Sequence, residues 1–145
     1  MADGPPKLIT INHDDHHARY VGRTKDGKQF FLTVSFALAT GQHGQREFLA
    51  LYTFDKKGNF LDAKIDDLEA PLTDGQDFES LRDKRLDELG ELSFGRIKIS
   101  PFAVERFGLT FGLIPDKSED EWTVELQPGN YMAFCPPWNS GEYDT

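Results

Sequence analysis

Arg46-Glu47-Phe48-Leu49-Ala50-Leu51-Tyr52-Thr53-Phe54-Asp55 is the stretch on which the fold turns. At a period of two, Phe48, Ala50, Tyr52 and Phe54 project to one side, and Leu49, Leu51 and Thr53 to the other. Both sides carry apolar groups, so the segment reads as a central strand covered on both faces. The segment Lys28 to Phe36 alternates in the same way. Phe30, Leu32, Val34 and Phe36 share one face, and Phe31, Thr33 and Ser35 the other. Thr24-Lys25-Asp26-Gly27 joins it to a preceding strand over Arg19 to Arg23, because Asp-Gly accepts the positive φ of a tight hairpin turn. On the far side, Lys56-Lys57-Gly58-Asn59 turns the chain into Phe60 to Asp66, where Leu61, Ala63 and Ile65 alternate with charged residues.

Further out, Leu8–Ile11, Phe94–Ile99, Leu109–Ile114, Trp122–Leu126 and Tyr131–Phe134 read as short strands. Ala39 to Gln45 and the acidic Asp116 to Glu121 read as loops, and Gln127-Pro128-Gly129-Asn130 as a type II turn. Ser100-Pro101 has the chemistry of a cap and first turn for a short helix ending near Phe107-Gly108, although an extended reading also places Phe102 and Val104 on one face. A longer helix is expected from about 75 to 89. Asp74 would cap it, Phe78, Leu81, Leu86 and Leu89 fall on one stripe, and Gly90 stops it. Connections too short for crossovers make neighbouring strands antiparallel. The expected fold is therefore α+β: a mostly antiparallel, curved sheet of about eight short strands with one main helix packed on one face. Leu32, Val34, Leu49, Leu51, Leu81, Leu109 and Phe111 are the expected core.

The 145 residues read as a single domain over 1–145, with an N-terminal arm over 1–7 and a C-terminal tail over 136–145. With 16 Lys and Arg against 25 Asp and Glu, the net charge of -9 argues against nucleic acid as a partner. There is no apolar run long enough for a bilayer, and Met1 to Pro6 do not read as a signal peptide, so a soluble, cytoplasmic protein is expected. The lone Cys135 forms no internal disulfide and is expected as a reduced, partly buried thiol.

Two regions could carry chemistry. His13-Asp14-Asp15-His16-His17 is the first. If extended, it puts His13, Asp15 and His17 on one side; if helical, His13 and His17 fall at i and i+4. Either arrangement offers N and O ligands to a weakly held divalent ion such as zinc. His43 or Glu47 could add a ligand. The alternative is a solvated turn, where Asn and Asp hydrogen-bond locally. No cofactor is otherwise expected. The second region is the tail, polar except for Trp138 and Tyr143. These rings either fold back to cover the sheet or form a binding surface, since aromatics are enriched at binding hot spots. Zinc-helix, phosphate-loop and nucleophile-elbow motifs are absent, and no catalytic residue is assigned.

Leu8-Ile9-Thr10-Ile11-Asn12-His13-Asp14-Asp15-His16-His17, together with Leu126-Gln127-Pro128-Gly129-Asn130-Tyr131-Met132 and Pro136-Pro137-Trp138, resembles a small family of uncharacterised bacterial proteins, some labelled formylmethionine deformylase-like. His16-His17-Ala18-Arg19-Tyr20 does not match the His-Glu-x-x-His of a true peptide deformylase. Phe134-Cys135-Pro136 does not match its cysteine motif, so the resemblance transfers no catalytic residue. Two readings remain open. One is a non-enzymatic binding or protein-interaction domain, for example an immunity- or antitoxin-type inhibitor steered by its charge to a basic protein. The other is a metal-dependent hydrolase built on His13, Asp15 and His17.

Overall fold

Alternation along the central stretch produces a pair of ten-residue antiparallel strands, β3 (Gln29–Leu38) and β4 (Gln45–Phe54), matched residue for residue from Gln29↔Phe54 to Leu38↔Gln45. The computed structural model describes residues 6–15, 18–38, 45–67, 78–128 and 132–144. In chain order the remaining strands are β1 (Ile9–Ile11), β2 (Tyr20–Thr24), β5 (Phe60–Asp67), β6 (Leu92–Phe94), β7 (Ile97–Ile99), β8 (Phe102–Arg106), β9 (Leu109–Ser118), β10 (Glu121–Gln127) and β11 (Ala133–Phe134), with one helix, α1 (Phe78–Asp87). They form a five-stranded sheet in the order β5-β4-β3-β2-β6, a four-stranded sheet β11-β10-β9-β8, and a two-stranded ribbon β1-β7. Every pairing among the described residues is antiparallel.

The two faces of β3 and β4 build two apolar clusters. Phe31, Phe48, Ala50, Tyr52 and Phe54 enter the main core with Ile9, Ile11, Ile97 and Ile99 of the ribbon and Phe111, Leu113, Val124 and Leu126 of the four-stranded sheet. Aromatic rings meet edge-to-face there: Tyr52 and Phe102 lie 4.6 Å apart and Phe48 and Phe111 5.1 Å. On the opposite face Phe30, Leu32, Leu49 and Leu51 are buried, with Leu81, Leu86, Leu89 and Leu92 packed partly buried against them. Arg85 fixes α1 to β5 by donating to both carboxylate oxygens of Asp66 at 2.7 and 2.6 Å, a bidentate pair of the stronger kind. Arg85 also donates to Glu88 at 2.8 Å and holds that carboxyl below its ordinary range.

The α+β expectation is corrected by this arrangement. The described residues form a mostly-β fold of three sheets, and the helix described, Phe78–Asp87, is short and ends before the expected 89. The expected cap at Asp74 lies outside the described residues. Three local causes separate expectation from outcome. The segment 102–106 takes the extended alternative, so Phe102 is buried in the main core instead of lying on a helix. The run 94–99 is broken at Gly95-Arg96, where the chain leaves the five-stranded sheet and enters the ribbon. Strand β9 continues through Asp116–Ser118, where a loop was expected. Of the expected core, Leu32, Leu49, Leu51 and Phe111 are buried, whereas Val34, Leu81 and Leu109 are only partly so.

One side chain bonds the free edge of the ribbon to the large sheet. Strand β7 uses one edge to pair with β1. On its other edge the Lys98 N–H donates to Gln29 Oε1 at 2.7 Å, and the Lys98 carbonyl accepts from Gln29 Nε2 at 2.8 Å. A carboxamide offers one acceptor and a pair of donors, so it can stand in for a neighbouring strand's peptide group. The β4–β5 turn closes on the same place. Gly58, at φ 95°, packs so tightly that a Cβ would lie 2.6 Å from the Lys98 carbonyl oxygen, and its own carbonyl accepts from the Ser100 N–H at 2.9 Å.

Gln29→Leu keeps the volume but leaves the Lys98 N–H and carbonyl without these partners, at a cost of about 1–3 kcal/mol per unsatisfied group. Urea unfolding should show that loss, while Leu51→Ala should cost about 2–5 kcal/mol through its cavity. The same turn gives a pH test. The Asn59 backbone N–H and side-chain amide, with the Lys57 N–H, donate to the Asp55 carboxylate at 2.9–3.0 Å and hold its pKa below the ordinary 3.8. A lowered folded-state pKa stabilises fully above the unfolded value and is lost as pH falls through the folded one. The difference in melting temperature between wild type and Asp55→Ala should therefore be constant near neutrality and shrink below about pH 4.

Candidate functional site

The tail folds back along β1 and forms one wall of a groove. The outward N–H of Thr10 donates to the Trp138 carbonyl at 2.9 Å, and the N–H of Asn12 donates to the Gly141 carbonyl at 3.1 Å. Ala133 and Asp144 exchange both backbone hydrogen bonds, at 2.9 and 2.8 Å. Trp138 and Tyr143, singled out in the sequence as binding candidates, are partly buried against the main core. Tyr143 lies 5.9 Å from Phe134, and its hydroxyl donates to Asp14 Oδ2. The other Asp14 oxygen accepts from the Ala18 N–H at 3.1 Å, so this carboxylate closes its own turn and ties down the tail together.

Asn12 completes the wall. Its Oδ1 accepts from Arg96 Nε at 2.8 Å and its Nδ2 donates to the Ser140 carbonyl at 3.1 Å. Gly141, at φ 82°, passes so close that a Cβ would lie 2.3 Å from the Asn12 side chain. The resulting open groove has a volume of about 860 Å³. Asn12, Asp14, Cys135, Ser140, Glu142, Tyr143 and Asp144 are its polar lining residues, and among the described residues no Lys, Arg or His lines it. Its described lining is therefore acidic, with the carboxylates of Asp14, Glu142 and Asp144. Cys135 is a free, exposed thiol on this wall, not the partly buried one expected.

The histidine cluster is divided differently. Asn12 and Asp14 face the groove, while His13 between them stacks on Phe94 with ring centroids 5.7 Å apart. Asp15 is exposed, and His16, His17 and His43 lie outside the described residues. Among the described residues no group of three or more His, Cys, Asp or Glu side chains is placed to hold a metal ion. No helix among them is long and apolar enough to cross a membrane. Comparison with known proteins finds no family model, no curated protein and no solved structure that matches the chain.

Sequence reasoning singled out Trp138 and Tyr143 but missed Asp14, Glu142 and Asp144 as one group. The available signal was the alternation Asn12-His13-Asp14, which sends the first and third side chains to the side opposite the second. Tyr143→Phe removes the hydroxyl donated to Asp14 and should cost about 1–3 kcal/mol, the usual range for a hydrogen bond to a charged group. Differential scanning calorimetry should record a lower melting temperature for this variant. Combined with an Asp14→Asn change, the loss should be smaller than the sum of the two single losses, because the two changes share the Tyr143–Asp14 contact.

Proposed function

We propose that this chain is a non-enzymatic protein-interaction domain whose acidic groove takes a basic segment of a partner protein. An inhibitor of the immunity or antitoxin type is one concrete form of that activity. The observation that carries the reading is the groove itself. Asp14, Glu142 and Asp144 line one concavity in which, among the described residues, no Lys, Arg or His takes part, on a chain whose net charge is -9. The net charge steers a basic partner from a distance, and the lining carboxylates give it a place to dock. The wall is held by backbone hydrogen bonds and by two partly buried aromatic rings, so the groove exists before a ligand arrives, which lowers the ordering cost of binding.

The test uses fluorescently labelled peptides that are Arg-rich, Glu-rich or neutral. Anisotropy should show binding of the Arg-rich peptide alone, weakened by added salt. The variant Glu142→Lys/Asp144→Lys should weaken it at least tenfold, or about 1.4 kcal/mol. Cys135 supplies an independent readout, because an occupied groove should slow its alkylation by iodoacetamide. Equal binding of the three peptides, or binding untouched by charge reversal, would sink the proposal.

A further inference from the structure

The edge of the five-stranded sheet beside the groove has the opposite character. Strand β6 is that edge, and it carries Phe94, the most exposed large apolar side chain among the described residues at 50%. Tyr20 lies edge-on to Phe94, with centroids 6.2 Å apart. The guanidinium groups of Arg19 and Arg82 lie 5.4 and 5.5 Å from the Tyr20 ring centre, and Arg82 donates to the Tyr20 hydroxyl at 3.0 Å. Arg96 follows β6 directly after Gly95. Arg19 and Arg82 thus flank the Tyr20 ring that meets the exposed Phe94, and Arg96 follows on the chain beside it, bonded to Asn12. Among the described residues Arg19 and Arg96 have no carboxylate within ion-pair distance, whereas Arg82 pairs with Asp83 at 3.1 Å. Arginine and aromatic residues together make the composition of binding hot spots.

This basic, aromatic edge and the acidic groove meet along one turn. Asn12 and Asp14 face the groove, His13 stacks on Phe94, and Arg96 is bonded to Asn12 across the boundary. Two contiguous patches of opposite sign are self-complementary about a two-fold axis through their boundary. Each copy's arginines then lie on the other copy's carboxylates. We infer that the chain forms an isologous dimer in which the arginine edge around Phe94 occupies the acidic groove of a second copy. This rests on the groove being a binding surface, and it names one of its occupants. The second copy and a basic partner segment then compete for the same carboxylates.

Sedimentation velocity of the full chain, from low to high micromolar, tests the inference. The expected result is a reversible shift from 16.4 kDa to twice that mass. Arg96→Glu and Phe94→Ser should each raise the dissociation constant at least tenfold. Because Arg96 also holds Asn12, Arg19→Glu is the control for a local folding defect, and circular dichroism should be unchanged in all three. The decisive arm mixes two variants. Arg96→Glu and Glu142→Arg should each be monomeric alone and dimerise when combined, because the mixed pair restores opposite charges at one contact and leaves the other native. A monomer at every concentration, open-ended larger species, or a dimer indifferent to these variants would overturn the inference. A monomer that still binds the Arg-rich peptide would remove the dimer and leave the groove's function standing. A chain that neither dimerises nor binds the peptide would remove both.

Discussion

The carboxamide of Gln29 joins parts of the molecule that backbone pairing leaves separate. It is almost wholly buried, on the first residue of β3, and it bonds both peptide groups that β7 presents at Lys98 while also donating to the Asp55 carbonyl at 3.2 Å. From there the dependence runs outward in one direction. Strand β7 is the partner of β1, β1 is the edge on which the tail lies, and the tail is a wall of the groove. A buried amide left half-bonded would cost what an unmade hydrogen bond costs in the interior. The register of β7 against the large sheet is therefore set by polar satisfaction, and apolar packing supplies the bulk of the energy around it.

The large sheet shows which parts of a fold can be read locally. The division of β3 and β4 into two faces follows from a period of two, and the apolar clusters split along that division, with Phe48, Ala50, Tyr52 and Phe54 in one and Leu49 and Leu51 in the other. Hairpins closed by Asp26-Gly27 and Gly58 were legible because their turn chemistry is confined to a few residues. The ribbon was not legible, since Ile9 pairs with Ile99 and no local pattern records a partner that distant. Its separation from β6 turns on Gly95 and Arg96, which interrupt a run whose apolar alternation is otherwise continuous. The segment after Pro101 was ambiguous for a related reason: a proline that could open a helix also fits the start of a strand when tertiary burial of Phe102 favours the extended form.

The site was legible in its parts and hidden in its assembly. Two aromatic residues in a polar tail signalled that the tail has a place to go, and Trp138 and Tyr143 do pack partly against the core. The concentration of His and Asp after β1 drew attention to metal chemistry, yet the turn sends neighbouring side chains to different surfaces. His13 goes to Phe94, whereas Asp14 goes to Tyr143. Carboxylates at Glu142 and Asp144 carry no local signature at all. They become a group with Asp14 only through the backbone pairing of the tail.

That pairing bears on how the chain reaches its native state during synthesis. Asp14 and Tyr143 are 129 residues apart, and Asn12 and Ser140 are 128 apart. Residues 9–14 are made before the ribbon partner and the tail that cover their peptide groups. A nascent chain must hold this unpaired segment open until residues 97–99 and then 138–144 have followed. Loops closed over such separations make folding slow relative to chains dominated by local contacts. In that interval the unmade edge of β1 is open to any strand that passes, and the tail that later shields it acts as a built-in guard against cross-chain pairing.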